Sequence, residues 1–349
     1  MSVSVANPMA DLYRRLRAVG LSKVYVRKTI LPDWWNDDAA TNPAAFAEGL
    51  VFLSRHLGLD LRTLQDRSQA VAFRDFGACK FKKSKGVTDD DLALARAMGT
   101  RLAQLANLAT TTPYHLLPRS AGMIRGEILG LCEPWVNLSN LMDYCWSLGV
   151  PVVHMSPFSG TKRPDRMKCP DGMTAIVDGR PVIVLCKEHR FSAWPLFILA
   201  HEMGHVALGH IENDGALIDE SMNDNPRDDE EDAANAFAVE LLTGNARMQF
   251  TTTGRWPNAR ELAESAMEIG SRERIDPGHV VLNYAHSMDG KFFPVANAAL
   301  ALIEPERDAL RLARRKMAEN LDWSALPEDS SEFLMRMSQA VKPSDLSLR

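Results

Sequence analysis

The sequence predicts an α+β protein in which a small antiparallel sheet is flanked by mainly helical N-terminal and C-terminal regions. Two short runs rich in β-branched residues, MTAIV (173–177) and PVIVLC (181–186), are joined by Asp178 and Gly179. This Asp-Gly pair suits the type I′ turn of a β-hairpin. A further strand is predicted over residues 151–155, and apolar residues recur at helical spacing through most of the remaining chain.

Length and composition fit a soluble globular protein with a large core. The chain has 349 residues, of which 46% are hydrophobic and 24% are charged, and these fractions are ordinary for that class. No apolar run approaches the roughly 20 residues of a membrane-spanning helix, and we see no signal peptide. The five cysteines form no C-x-x-C pair, which favours free thiols in a reducing compartment, so we expect a cytoplasmic protein. They are Cys79, Cys132, Cys145, Cys169 and Cys186.

Residues 1–86 are predicted to form a helical module with some likeness to a helix-turn-helix. GLS (20–22) and GLD (58–60) both resemble the turn of that motif. The segment holds fourteen Lys/Arg and eight Asp/Glu, and a basic run near its end could contact phosphates: Lys80, Lys82, Lys83 and Lys85. Nucleic acid is therefore a candidate partner. The alternative is a helical module that recognises another partner or signal and has a solvated, lysine-rich surface.

Three further regions follow along the chain. Residues 87–120 contain a helix with acids in its first turn and then a linker. Residues 121–250 contain the predicted sheet and the segments with the strongest chemical signals. Residues 251–349 are predicted to form a helical C-terminal region, in which Pro277 and Pro294 can each open a helix at its first position.

The strongest chemical signal lies in residues 192–210, which are predicted to form an apolar helix. His201, Glu202 and His205 stand there in the H-E-x-x-H arrangement of zinc peptidases. Positions four apart share one helix face, so both imidazoles can reach the same ion. Ser192 is the predicted N-cap. The alternative is a buried helix whose histidines bond to the main chain. Its apolar surface is expected from Phe197, Ile198, Val206 and Leu208.

A catalytic zinc ion needs a third protein ligand. His210 fits poorly, because the metzincin pattern requires glycine and histidine where this chain has Leu208 and Ile211. A carboxylate from a following helix is the other usual solution. The segment EEDAANAFAVELL (230–242) is strongly helical and offers several acids, among which the spacing alone does not choose: Glu230, Glu231, Asp232 and Glu240.

The segments RFSAWPLFILAHEMGHVALGH and EEDAANAFAVELLTG together resemble the ImmA/IrrE family of bacterial and phage-borne metallopeptidases. The resemblance covers roughly residues 130–285, including the segment RIDPGHVVLNY (274–284), and does not reach the first 120 residues. It implies a zincin-like core within residues 121–250, where the sheet stands beside the metal site. It also implies Glu231 as the third ligand. Glu230 is the fallback, because Ala233 stands where the family usually has a second acid.

The resemblance further implies a reaction and a substrate. His201, His205 and Glu231 would hold one Zn²⁺ per chain, for which Mn²⁺ could substitute, and Glu202 would act as the general base. Members of this family typically cleave or regulate helix-turn-helix transcriptional repressors in stress, phage or mobile-element responses. We therefore expect a zinc-dependent endopeptidase, a hydrolase of peptide bonds, whose substrate is such a repressor.

The sequence leaves two questions open: which group stabilises the oxyanion, and whether the protein has a regulatory rather than an enzymatic function. The group that stabilises the oxyanion is unassigned, and His154, Tyr284 and His286 are candidates by residue type only. The alternative function is a DNA-binding or toxin–antitoxin-type regulator, in which the zinc site is structural or nucleic acid controls the activity. A structural site has no need of a general base, so Glu202 favours the enzyme.

Overall fold

The computed structural model describes residues 8–74, 79–81, 89–156, 170–211, 226–288, 291–306 and 308–341. The fold is α+β, as predicted, and is mostly helical with one small sheet. In chain order the helices are α1 (Pro8–Ala18), α2 (Lys23–Tyr25), α3 (Pro43–Leu57), α4 (Leu61–Gln65), α5 (Asp89–Leu108), α6 (Ala121–Gly130), α7 (Leu138–Ser147), α8 (Ala193–Leu208), α9 (Pro226–Thr243), α10 (Ala259–Glu273), α11 (Pro277–Ser287), α12 (Phe293–Ile303), α13 (Ala309–Asn320) and α14 (Glu328–Ser338). The strands are β1 (Cys79–Phe81), β2 (Val152–His154), β3 (Gly172–Val177) and β4 (Arg180–Leu185).

The strands form a sheet in the order β1-β3-β4-β2. β3 and β4 are an antiparallel hairpin, and both turn residues, Asp178 (φ 50°) and Gly179 (φ 76°), have positive φ, which confirms the predicted type I′ turn. The expectation of a purely antiparallel sheet is wrong, because β2 pairs parallel to β4. The sheet is therefore mixed. Alternation of apolar residues predicts a strand but does not determine the direction of its neighbour.

The sheet packs against both α5 and α8. Met173 of β3 is fully buried, and a Cβ placed on Gly99 of α5 would collide with its sulfur. On the α8 side of the sheet, Thr174 and Gly172 of β3 contact residues of this helix. No helix in the described part of the chain combines the length and the apolar character that crossing a bilayer requires.

The N-terminal helices break where the sequence predicts. Gly20 (φ 89°) and Gly58 (φ 64°) take left-handed conformations after α1 and α3, and the Ser22 hydroxyl accepts the Tyr25 N–H at the start of α2. The helix-turn-helix interpretation and the nucleic-acid interface stay predictions. Of the basic run, the residues Lys82, Lys83 and Lys85 lie outside the described residues, and only the backbone of Lys80, in β1, is described.

The described residues form two hydrophobic cores. The first joins the N-terminal helices, the sheet, α5, α6, α7, α8, α9, α13 and α14. In it, the His56 ring of α3 stacks on the Phe333 ring of α14 with a centroid distance of 4.3 Å. The second core consists of α10, α11 and α12 together with Ala193, the first residue of α8. The C-terminal region is helical, as predicted, and contributes to both cores, while the predicted domain boundaries stay predictions.

Two details of α8 differ from expectation. The predicted capping role of Ser192 is wrong, because its backbone is already helical (φ −62°, ψ −27°) and its side chain caps no N–H. Instead, its main-chain N–H and its hydroxyl both donate to the Glu304 carboxylate at 2.7 Å. Leu208 is 36% exposed rather than buried, because it lies in the last turn of α8.

Candidate metal centre

Three side chains from two helices bring their donor atoms together. His201 and His205 lie one turn apart on α8, are almost completely buried, and have their Nε2 atoms 3.1 Å apart. Glu231 of α9 reaches both of them, because its Oε2 lies 3.3 Å from Nε2 of His201 and its Oε1 lies 3.3 Å from Nε2 of His205. Among the described residues, these three side chains form a group that could hold a metal ion. Glu230, the fallback, does not belong to it.

Close packing of α8 on α9 delivers Glu231 to the histidines. A Cβ placed on Gly204 would lie 3.2 Å from both Cα and the main-chain oxygen of Ala234 and 3.3 Å from Cβ of Phe237. Gly204 lies between the two histidines in sequence, and Ala234 lies one turn beyond Glu231. Small residues on both helices therefore allow the approach that the cluster needs.

Hydrogen bonds orient both imidazole rings. His201 Nδ1 lies 3.0 Å from Oδ1 of Asn235, and an Nδ1–H donated there would leave the Nε2 lone pair facing the cluster. His205 Nδ1 lies 3.0 Å from Nδ1 of His210, so one of these two rings donates to the other. Neighbours of this kind fix the tautomer and the orientation of ligand histidines.

Glu231 is held as a carboxylate. Burial alone would raise its pKa, but the hydrogen bonds and charges of His201 and His205 outweigh burial and lower the pKa well below its usual range. A carboxylate that stays ionised beside two imidazoles is a ready ligand for a cation.

Glu202 lies beside the cluster and is fixed by β3. Its side chain is 1% exposed, and its Oε2 accepts a hydrogen bond from the Thr174 hydroxyl at 2.9 Å. A Cβ on Gly172 would lie 2.8 Å from Glu202 Oε1 and 2.7 Å from Cγ2 of Ile198. The strand can therefore approach the carboxylate only because residue 172 has no side chain. Thr174 and Gly172 were not among the predicted site residues, since nothing local in the sequence marks them as neighbours of α8.

The cluster opens into a cleft of ≈ 350 Å³ that both His201 and Glu202 line. Of the residues considered for the oxyanion, His286 lines this cleft. His154 does not, because it lies on the edge strand β2, where its Nδ1 is 3.3 Å from the Ser156 hydroxyl. Tyr284 does not line it either and is buried elsewhere on α11.

Comparison with protein families agrees with this geometry. Residues 145–264 match the model of the IrrE N-terminal-like domain, Peptidase_M78. The matched segment is about a third of the chain. The predicted resemblance to the ImmA/IrrE family is thus confirmed over a segment that includes β2, β3, β4, α8 and α9. The match supports a peptidase and does not extend to residues 1–144 or 265–349. No curated protein and no solved structure matches the chain.

The donor set of the His201, His205 and Glu231 cluster suits zinc. Ligand atoms that each lie about 2.0–2.1 Å from a tetrahedral ion are roughly 3.3 Å from one another. The Nε2–Nε2 separation is 3.1 Å, and each Nε2 lies 3.3 Å from a different oxygen of the Glu231 carboxylate, so these separations are close to this value. Two imidazoles and one carboxylate are also a usual ligand set of catalytic zinc, which leaves a position free for water or substrate. The residues therefore fit the metal.

Proposed function

We propose that this protein is a zinc-dependent endopeptidase, with His201, His205 and Glu231 as zinc ligands and Glu202 as the general base. The observation that supports this most strongly is the convergence of three donor atoms from α8 and α9 beside a buried carboxylate. When bound, zinc would lower the pKa of a water molecule and polarise the scissile carbonyl. Mn²⁺ is the expected substitute.

Glu202 would move the proton. It lies next to His201 in sequence and lines the same cleft, so its carboxylate can take a proton from the attacking water and pass it to the leaving amine. The Thr174 hydroxyl, which donates to Oε2, would keep the carboxylate in one orientation while the other oxygen handles the proton. Burial excludes bulk water from this exchange.

For the substrate, we propose a regulatory protein, in particular a helix-turn-helix transcriptional repressor of a stress, phage or mobile-element response. The match of residues 145–264 to the IrrE N-terminal-like domain supports this proposal. The reaction would take place in the cytoplasm, where such repressors act. The N-terminal helices and α11 to α14 lie outside the family match and would serve recognition or activation.

The test uses a small helix-turn-helix repressor encoded next to this gene, incubated with the zinc-loaded chain. We expect the wild type to cleave it, a chelator to stop cleavage, and Mn²⁺ or Zn²⁺ to restore it. Glu202→Gln should keep zinc but lose cleavage by at least about 10²-fold, as the loss of a general base predicts. Glu240→Gln, which changes a carboxylate of α9 outside the cluster, is the matched control and should cleave normally.

Two results would contradict the proposal. If Glu202→Gln cleaves as fast as the wild type, Glu202 is not the general base. If both proteins bind zinc and neither cleaves this repressor or any other protein offered, the zinc is structural and the regulator interpretation replaces the enzyme.

A further inference from the structure

The cleft beside the metal centre has two walls of different origin. One wall is formed by α8 and α9, which lie within the segment that matches the family model. The other is formed by α11 and α12, which begin after residue 264, where the family match ends. His201 and Glu202 line the same cleft, so a peptide bond held at the centre would place a neighbouring side chain between these walls.

The surface of the cleft next to α8 is apolar and aromatic. Trp194, Phe197 and Ile198 project from α8, and Leu282 of α11 and Phe293 of α12 face them. The rings of Trp194 and Phe293 lie 5.5 Å apart. The volume of ≈ 350 Å³ lies in the range of about 300–1,000 Å³ typical of small-ligand pockets.

His279 extends this apolar wall. Its ring stacks on Phe197 with a centroid distance of 6.1 Å and an interplanar angle of 11°. It is 2% exposed, and burial lowers its pKa to about 4. At neutral pH it is therefore an uncharged aromatic ring.

The side chains named on this wall carry no charge, although polar residues also line the cleft: Asn235, Gln249, Asn283, His286 and Ser287. Asp171 and Arg247 are the charged residues that line the cleft apart from the centre itself, and Asp171 is paired with Lys187 at 2.9 Å. An anionic or cationic ligand would therefore find little compensation between α8 and α11, whereas an apolar one would be removed from water.

Tight contacts fix the second wall against α8. A Cβ on Gly278 would lie 2.9 Å from Cβ of Ala193, so the start of α11 touches the start of α8. The end of α12 is tied to the same point, because Glu304 accepts both hydrogen bonds from Ser192. The pocket is thus held in shape before any ligand arrives.

We propose that this cleft is the specificity pocket of the peptidase and binds a large apolar side chain, aromatic or leucine-like, next to the scissile bond. The inference rests on the proposed function, because it takes the peptide bond to lie at the zinc centre. In this proposal α11 and α12, which lie outside the family match, select the substrate.

The probes are hydroxamates, whose head group chelates zinc and whose tails differ. They are acetohydroxamate, 3-phenylpropanohydroxamate, 4-methylpentanohydroxamate and the acidic 3-carboxypropanohydroxamate, each titrated into the full zinc-loaded chain by calorimetry. We expect the phenyl and leucine-like tails to bind about 10- to 100-fold more tightly than acetohydroxamate, as burial of such a group predicts, and the acidic tail to gain nothing.

Alanine variants of the cleft residues test where the hydroxamate tail binds. Leu282→Ala and Phe293→Ala should each reduce the preference for the phenyl tail about fivefold to tenfold, because each removes apolar contact area. Leu302→Ala is the matched control on α12, since Leu302 is 58% exposed and does not line the cleft. Circular dichroism verifies that each variant folds. If Phe293→Ala does not fold, the preference of Leu282→Ala for the phenyl tail decides the test.

The outcomes separate the two proposals. If all hydroxamates bind with equal affinity, or if both alanine variants keep the full preference, the pocket is wrong while the zinc centre stands. If the protein cannot be loaded with zinc and no hydroxamate binds, the proposed function itself fails.

Discussion

Replacing Gly204 by alanine tests how the packing of α8 on α9 creates the metal centre. The added methyl group would lie 3.2 Å from Cα and from the main-chain oxygen of Ala234. These are backbone atoms, which cannot rotate away, so α9 must recede by a few tenths of an ångström. Glu231 lies one turn earlier on α9 and would move with it.

Two opposing effects set the change in the free energy of unfolding. Alanine in a helix interior gains roughly 0.5–1 kcal/mol over glycine, whereas overpacking typically costs about 1–3 kcal/mol. Gly126 of α6 is the matched control, because a Cβ there meets no atom within 4 Å. Gly126→Ala should therefore show only the increase in the free energy of unfolding that alanine brings to a helix. Gly204→Ala should be about 1–3 kcal/mol less stable than Gly126→Ala, because overpacking opposes that increase.

Zinc binding should respond more strongly than stability. Zinc–ligand distances tolerate deviations of only about 0.2 Å, so a shift of Glu231 should weaken zinc affinity about tenfold or more in Gly204→Ala. Urea unfolding of the metal-free proteins gives the stabilities, and competition with a chromogenic chelator gives the affinities. If Gly204→Ala gains the same stability as Gly126→Ala and binds zinc like the wild type, the packing argument is refuted.

Three further predictions concern single side chains. Asn235→Leu should lower zinc affinity about 10- to 100-fold in chelator competition, because it removes the acceptor that orients His201, whereas Asn235→Asp should keep it; equal affinities would contradict this role. His279 has its pKa lowered from 6.5 to about 4 by burial, so stability falls as pH drops from about 6.5 towards 4. In metal-free protein, His279→Phe should reduce the loss between pH 7.5 and pH 5 by about 2 kcal/mol, and an unchanged loss would show that this histidine is not the cause. Arg125 donates to four main-chain carbonyls at the ends of α9 and α10; Arg125→Met should destabilise by about 3–5 kcal/mol in urea unfolding, and a cost below about 1 kcal/mol would refute its bridging role.

The sequence was most informative where the cause is local. The spacing of His201 and His205 follows from the helical period, and the Asp-Gly turn follows from the conformations that those two residues tolerate. Both features depend on residues a few positions apart, so a single sequence is sufficient to predict them. Glu231 needed the family resemblance, because spacing alone left several acids equivalent.

Long-range contacts were beyond prediction for the opposite reason. Ser192 has the residue type and the position in sequence of an N-cap, yet its hydrogen-bond partner Glu304 lies 112 positions away. The parallel partner of β2 and the packing of α14 on α3 likewise depend on the whole fold. The second wall of the cleft is similar, since α11 was predicted as a helix but nothing in its sequence reveals that His279 faces α8.

The metal content of the purified chain tests the central claim most directly. After zinc supplementation and removal of free metal, we expect one zinc per wild-type chain by elemental mass spectrometry, one in Glu202→Gln and Glu240→Gln, and far less than one in Glu231→Gln and His205→Phe. A wild-type chain without stoichiometric metal, or Glu231→Gln that retains zinc as firmly as Glu240→Gln, would contradict a zinc centre built from α8 and α9.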